Sequence, residues 1–148
     1  MPNWCWSTIQ IFGSKRDTRK LCELLRTPAS EFDLNAAVPM PDDLIDEEAR
    51  GEWAYEHWGV RNSSVADCRW LPRRRRGMFA AAAVEVLTRW RPPDELVREM
   101  TRRFPRLVIH LSYEEETPTR GFEIYERGRK IAAIYTDGRG VLRKDKGL

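Results

Sequence analysis

Cysteine and histidine are scarce, with 3 Cys and 2 His in 148 residues. The thiols Cys5, Cys22 and Cys68 are too few, and odd in number, for a disulfide framework, and no two form a Cys-x-x-Cys pair. Together with His57 and His110 they are scattered between residues 5 and 110 without two ligands at short spacing, so no zinc motif is present. A nucleophilic Cys5 needs a histidine base within hydrogen-bond reach. Its place on the same strand face as Ile9 and Ile11 predicts a buried, inert thiol instead. Long apolar runs are missing too: none approaches the ~18 residues of a membrane span. The start, Met1-Pro2-Asn3-Trp4-Cys5-Trp6, has neither a basic leader nor an extended apolar stretch, which leads us to expect a cytoplasmic protein. Gly128, Gly138 and Gly140 form neither a P-loop nor a dinucleotide fingerprint, and no glycine-punctuated calcium loop accompanies the acidic runs. The expectation is a protein without enzymatic activity, metal or cofactor, and without a catalytic residue to name.

Charge and aromatic rings are what the chain does contain. Charged residues make up 33% and hydrophobic residues 41%, with a mean hydropathy of −0.62, as in a soluble globular protein of about one domain. The formal net charge of +3 hides a strong asymmetry. Residues 31–56 carry nine acids against one base, Arg50, whereas residues 57–110 carry twelve bases against five acids. Of the 26 basic residues 21 are arginine, the side chain better suited to bidentate contacts with phosphate or carboxylate, although a GC-rich coding sequence gives the same bias.

Periodicity divides the chain into elements. Trp4 to Phe12 alternates as a strand, with Cys5, Ser7, Ile9 and Ile11 on one face and Trp6, Thr8, Gln10 and Phe12 on the other. Gly13 ends it, Ser14 to Asp17 resembles a capping box, and Leu21, Leu24 and Leu25 recur at helical spacing up to Pro28. Glu31 to Pro41 reads as an irregular connection and Asp42 to His57 as an acidic helix. Two strands follow, near Ser64–Leu71 and Phe79–Trp90, separated by a turn that carries Arg73, Arg74, Arg75 and Arg76. Pro92-Pro93-Asp94-Glu95 opens a helix whose apolar stripe is Leu96, Val97, Met100 and Phe104. Leu107 to Tyr113 alternates as a strand, and Gly121–Tyr125 and Lys130–Tyr135 form a hairpin around Arg127-Gly128. This order predicts an α+β fold, a ferredoxin-like split βαβ sandwich with an inserted helix and an extra C-terminal hairpin. One domain is expected over 1–137, followed by a frayed tail over 138–148. Trp4, Trp58 and Trp90 are expected in the core.

The opening Met1-Pro2-Asn3-Trp4-Cys5, the strand end Ile11-Phe12-Gly13, Phe32-Asp33-Leu34-Asn35 with Val38-Pro39-Met40-Pro41, Trp58-Gly59, Trp90-Arg91-Pro92-Pro93 and Phe104-Pro105 form an ordered set. Over roughly residues 1 to 126 it resembles the YubB-type ferredoxin-like proteins of phages and plasmids. The resemblance implies a ferredoxin-like fold and a mobile-element origin, and it brings no enzymatic activity with it.

The candidate binding residues follow from exposure and charge. Alternation puts Trp6 opposite Cys5, where an exposed indole suits the centre of an interface. Asp43, Glu47 and Glu48 belong to the acidic block, and Arg73, Arg74, Arg75 and Arg76 are the densest positive charge. A short protein with separated acidic and basic faces can block a charged groove by complementarity. The expected function is therefore non-enzymatic: binding a host protein complex and inhibiting or modulating host defence or nucleic-acid processing. The alternative is a binder of single-stranded nucleic acid that uses the open sheet face. Against it, Met78, Phe79 and Ala80 fall where the RNA-recognition signature needs aromatic, small and aromatic residues in turn, and the acidic block repels a polyanion.

Overall fold

The pleat of the first strand decides which residues enter the core. In a computed structural model, which describes residues 3–61, 65–72, 80–137, 139 and 141–144, strand β1 (Trp4–Phe12) buries Cys5, Ser7, Ile9 and Ile11 on one face. Gly13 ends it, and the Ser14 hydroxyl accepts the Asp17 N–H at 3.1 Å to start α1 (Lys15–Leu25). Leu21 and Leu25 of that helix are fully buried.

The connection expected to be irregular contains a short helix, α2 (Leu34–Ala37), because the Asp33 carboxylate accepts the Ala36 N–H and caps it. The next helix, α3 (Glu47–His57), starts five residues later than Asp42, where the spacing put it. Its cap is Asp46, which accepts the Ala49 N–H at 3.0 Å, while 42 and 43 form a turn after Pro41. Strands β2 (Val65–Trp70) and β3 (Ala82–Arg89), helix α4 (Asp94–Arg103), and strands β4 (Val108–Glu115), β5 (Arg120–Glu126), β6 (Arg129–Thr136) and β7 (Leu142–Lys144) complete the described chain.

All seven strands join one sheet in the order β2-β3-β1-β4-β5-β6-β7, each pair antiparallel. Its first four strands, with α1 and α4 as the crossing helices, have the ferredoxin-like order, and α2 and α3 are inserted before β2. The β5-β6 hairpin turns through Arg127 and Gly128, both at positive φ (51° and 74°), as a two-residue turn matched to strand twist requires. Gly128 N–H donates to Thr101 Oγ1 at 3.0 Å, which ties the hairpin to α4.

Two expectations are corrected here. Part of the tail expected to fray, 142–144, is strand β7 and pairs with β6 through Ile134↔Lys144, Tyr135↔Arg143 and Thr136↔Leu142. Of the three tryptophans expected in the core, only Trp58 is there, 3% exposed. Trp4 is half-buried on the opposite sheet face under Arg89. Trp90 is 52% exposed, since it occupies a left-handed conformation (φ 75°) at the exit from β3 that turns its ring outward. Among the described residues no helix is long and apolar enough to cross a membrane.

Trp58-Gly59 joins the inserted helices to the rest. The indole N–H of Trp58 donates to the Val38 carbonyl at 2.9 Å, its own carbonyl accepts the Leu96 N–H at 3.2 Å, and Gly59 (φ +80°) packs directly on Asp94. A Cβ at residue 59 would collide with the Asp94 carboxylate and strain the backbone. Gly59→Ala is expected to cost about 2 kcal/mol or more from the left-handed backbone and the clash. Trp58→Ala is expected to cost roughly 3–5 kcal/mol. Urea unfolding measures both, and a Gly59→Ala protein as stable as the parent contradicts this account of the joint.

Candidate functional site

The acidic block folds into one exposed surface on the helical side. Asp42, Asp43, Asp46, Glu47, Glu48, Glu52 and Glu56 are all exposed. Asp46, Glu47 and Glu48 sit at the cap and first turn of α3, where the helix dipole stabilises negative charge. Glu48, Glu52 and Glu56 are four residues apart and so line one face of the helix. Ion pairs form at Arg69–Glu85, Arg91–Asp94, Arg98–Glu95, Arg102–Glu99, Arg106–Asp17, Arg120–Glu114, Lys130–Glu123 and Arg143–Asp137. Among the described residues, none of the acids of 31–56 has such a partner.

Beside these acids lies a cleft of about 410 Å³ between the 29–35 and 40–42 segments, α3 and the start of β2. Its lining is mixed, with Phe32, Leu34, Met40, Trp58 and Val65 beside Ser30, Asp33, Asn35, Asp42 and Arg50. Several of its polar side chains also make hydrogen bonds within the fold. Asp33 caps α2 and accepts from Thr27 Oγ1, Asn35 Oδ1 accepts the Met40 N–H at 2.8 Å, Ser30 Oγ accepts the Phe32 N–H, and Arg50 donates to the Leu44 carbonyl. His57, at the end of α3, stacks on Trp53 at 4.1 Å and is held by the Trp53 carbonyl.

The other face of the sheet carries a different chemistry. Trp6, opposite Leu87 on β3 and Glu114 on β4, is 50% exposed. It walls a cleft of about 310 Å³ with Asp67, Arg69 and Glu85. Farther along, the rings of Phe12, His110 and Phe122 form a row across β1, β4 and β5, with centroids 4.4 and 5.3 Å apart. Burial pushes the His110 imidazole below its ordinary pKa. Two arginines on this face are matched by carboxylates, Arg69 2.8 Å from Glu85 and Arg120 2.8 Å from Glu114, whereas Arg89 lies over the Trp4 ring.

The predicted binding residues are therefore not gathered at one place. Asp43, Glu47 and Glu48 share the acidic surface, Trp6 belongs to the opposite face of the sheet, and Arg73, Arg74, Arg75 and Arg76 lie outside the described residues. The ring row and the Glu48-Glu52-Glu56 stripe are additional features. The stripe was legible as a four-residue repeat once the helix was assigned, whereas the row required the β1–β4–β5 register.

A buried polar cluster also escaped sequence reasoning. Glu123, 3% exposed, accepts a 2.6 Å hydrogen bond from Tyr125 Oη and lies 3.3 Å from Lys130 Nζ. Burial and the neighbouring Glu123 carboxylate raise the Tyr125 pKa. The alternation of Gly121, Glu123 and Tyr125 was the available signal for it.

Cys5 has the surroundings of a core thiol. Its Sγ lies 3.8 Å from Ser7 Oγ, and burial raises its pKa to about 11. His110 points to the opposite face of the sheet. Among the described residues, no three His, Cys, Asp or Glu side chains gather as metal ligands would.

With this geometry in view, the comparisons with known proteins speak to the fold. Residues 69–141 match the family model described as the ferredoxin-like domain in Api92-like protein. The crystal structure of a protein Api92 from Yersinia pseudotuberculosis is similar, with a TM-score of 0.53 and 20% identity over 68% of this chain and 38% of that one. The chain has a ferredoxin-like fold and spans less than two fifths of that protein's length. No curated protein matches it.

Two outcomes follow. A thiol reagent near neutral pH is expected to modify Cys5 only after unfolding, because a pKa of about 11 leaves almost no thiolate and the side chain is fully buried. Mass mapping of the alkylated residues checks this, and rapid native labelling of Cys5 contradicts it. For His110, a folded-state pKa below the unfolded one means that the unfolded chain binds more protons. That contribution is present above the imidazole's unfolded pKa and is lost as pH falls through the folded one. His110→Phe is expected to lessen the fall in Tm between about pH 7 and pH 5, read by calorimetry.

Proposed function

We propose that this chain is a binding protein without chemistry of its own, and that it engages a protein partner bearing a basic surface. The observation that carries this reading is the run of exposed acids on α3 and the preceding turn, none of which has an ion-pair partner among the described residues. Glu48, Glu52 and Glu56 repel one another at i,i+4 spacing, costing about 0.2–0.5 kcal/mol per pair. A cationic partner removes that repulsion and steers its own approach. The similarity to YubB-type proteins of phages and plasmids supports a host complex as the partner, one that handles nucleic acid or provides defence and is inhibited when its basic groove is covered.

The Trp6 cleft and the Phe12–His110–Phe122 row favour a second reading, single-stranded nucleic acid stacked on the open sheet face. Two arginines of this face, Arg69 and Arg120, are already neutralised by Glu85 and Glu114, which weakens a polyanion's hold.

The triple variant Asp43→Lys, Glu47→Lys, Glu48→Lys separates the two. It is expected to keep its fold, with a loss of about 0.3–1 kcal/mol for each cation placed in the first helical turn. Wild-type protein immobilised in nuclease-treated host lysate is expected to retain a protein that the variant does not, with association that slows as salt is raised. Equal retention by the variant argues against the acidic surface. Recovery of oligonucleotides, with a salt slope of about 0.7 per single-strand phosphate contact and loss of binding in Trp6→Ala, establishes the second reading.

A further inference from the structure

We infer that one end of the sheet binds the phosphate backbone of double-stranded nucleic acid. This surface is separate from the acidic one and from the open sheet face, and the inference rests on neither. Strands β1, β4, β5 and β6 are successive neighbours, and their register sets Phe12 beside Val108, Val108 beside Glu126 and Glu126 beside Arg129. The end of β1, the start of β4 and the β5-β6 turn therefore lie on one margin. Both crossing helices meet it. Gly13, which leads into α1, lies against Leu107 and the Arg106 carbonyl after α4, Arg106 Nε is 3.3 Å from Asp17, and Gly128 lies against the Arg102 side chain.

Lys15, Arg16, Arg102, Arg106, Arg127 and Arg129 are gathered on this margin, all exposed, and Arg19 and Lys20 follow one turn along α1. Glu99 pairs with Arg102 and Asp17 with Arg106. The other six cations have no ion-pair partner among the described residues. Glu126, partly buried beside Arg127 and Arg129, leaves the margin strongly positive.

Local energetics do not account for these cations. Lys15 and Arg16 open α1, where the helix dipole favours an anion, and each meets a like charge four residues on, at Arg19 and Lys20. Arg127 holds a left-handed conformation, φ 51°, ahead of Gly128, a place that Asn or Asp fills at less cost in a two-residue hairpin turn. Only Arg102 and Arg103, in the last turn of α4, stand where a helix favours positive charge, and Arg103 donates to the Ala37 carbonyl. Cations kept where the chain gains nothing from them point to an anion outside it.

The make-up of the margin selects the source of that anion. A protein interface centres on apolar and aromatic side chains. Of the large apolar side chains exposed among the described residues, only Ile131, beside Arg129 on β6, belongs to this margin. A phosphate backbone needs charge and planar donors without an apolar centre, and arginine supplies both. The cations extend over three strand spacings, about 15 Å, along which one strand of a duplex presents about four phosphates. Trp6 and Trp90, the exposed rings among the described residues, stand elsewhere, so no platform for an unpaired base accompanies the charge.

The test uses the full chain and two fluorescein-labelled DNA duplexes of unrelated sequence, each of roughly 20 base pairs, followed by anisotropy between about 50 and 200 mM salt. Both duplexes are expected to bind alike, with a log–log salt slope of about 3 to 4, from about 0.9 for each of about four phosphates. In the combined variant Lys15→Glu, Arg16→Glu, Arg127→Asn, affinity is expected to fall about tenfold or more at the lower salt and the slope by about two. Its Tm is expected to stay or rise, because acids suit the first turn of α1 and Asn-Gly suits the hairpin. Arg129→Gln alone, at an exposed position, is expected to lower the slope by about one. Trp6→Ala is expected to bind as the parent does. Absence of binding at low salt overturns the inference, as does binding that survives the combined variant. Loss of binding in Trp6→Ala moves the contact to the open sheet face and overturns it as well. Self-association without duplex binding, seen by sedimentation and lost in the combined variant, makes a second copy the occupant and overturns it too. Retention from lysate, which tests the acidic surface, uses a different variant, so either reading can fail alone.

Discussion

Everything in this molecule is built outward from β1, which is hydrogen-bonded along its length to β3 on one edge and β4 on the other. Its pleat therefore fixes the parity of both neighbours. Cys5, Ser7, Ile9 and Ile11 face Thr88, Val86, Val84 and Ala82 across one edge, and Tyr113, Leu111 and Ile109 lie opposite Ser7, Ile9 and Ile11 across the other. A slip of one residue in either ladder would send this whole set to solvent and bring Trp6, Thr8 and Gln10 under the helices. The same parity passes through β4 to β5, which is why the carboxylate of Glu123 and the ring of Tyr125 are drawn inside. Lys130 and the tyrosine hydroxyl are then required, since a buried carboxylate without partners is costly.

Because the helices take one face of this sheet, the molecule presents two dissimilar surfaces. The helical side shows the acids of α3 and the cleft beneath them, whose position depends on the Trp58-Gly59 joint against the first turn of α4. The sheet side shows Trp6 and the ring row, with Arg69 and Arg120 paired to carboxylates on adjacent strands. No single partner reaches both surfaces through a small contact, so the charge asymmetry of the chain becomes a choice of surface.

What could be read from the sequence was what local chemistry decides. The alternation of β1, the Ser14 cap of α1, the Leu96-Val97-Met100 stripe of α4 and the Arg127-Gly128 turn each reside in a few adjacent residues. The misses depended on contacts distant in sequence or on competition between neighbouring signals. Asp33 was a cap signal obscured by Pro39 and Pro41, so α2 was read as loop. The apolar look of Trp90 gave no hint of a left-handed backbone that turns it outward. Strand β7 has three exposed residues and no apolar pattern, and exists because β6 offers it an edge. At the candidate site, the acids were visible but the cleft beside them was not. It arises where Trp58 meets Val38, twenty residues earlier in the chain.

The acidic surface is not explained by helix energetics alone. Asp46 is needed as a cap, and Glu47 and Glu48 are favoured by the dipole of the first turn, so these three would be expected on a helix of any function. Glu52 and Glu56 lie beyond the reach of that effect, and each faces another acid four residues away, a spacing at which a lysine would stabilise the helix instead. Asp42 and Asp43 precede the cap and receive nothing from the helix. Solubility asks only for charge, and either sign would serve it on a chain whose net charge is +3. Seven exposed acids in a protein otherwise rich in arginine are what the proposed cationic partner would account for.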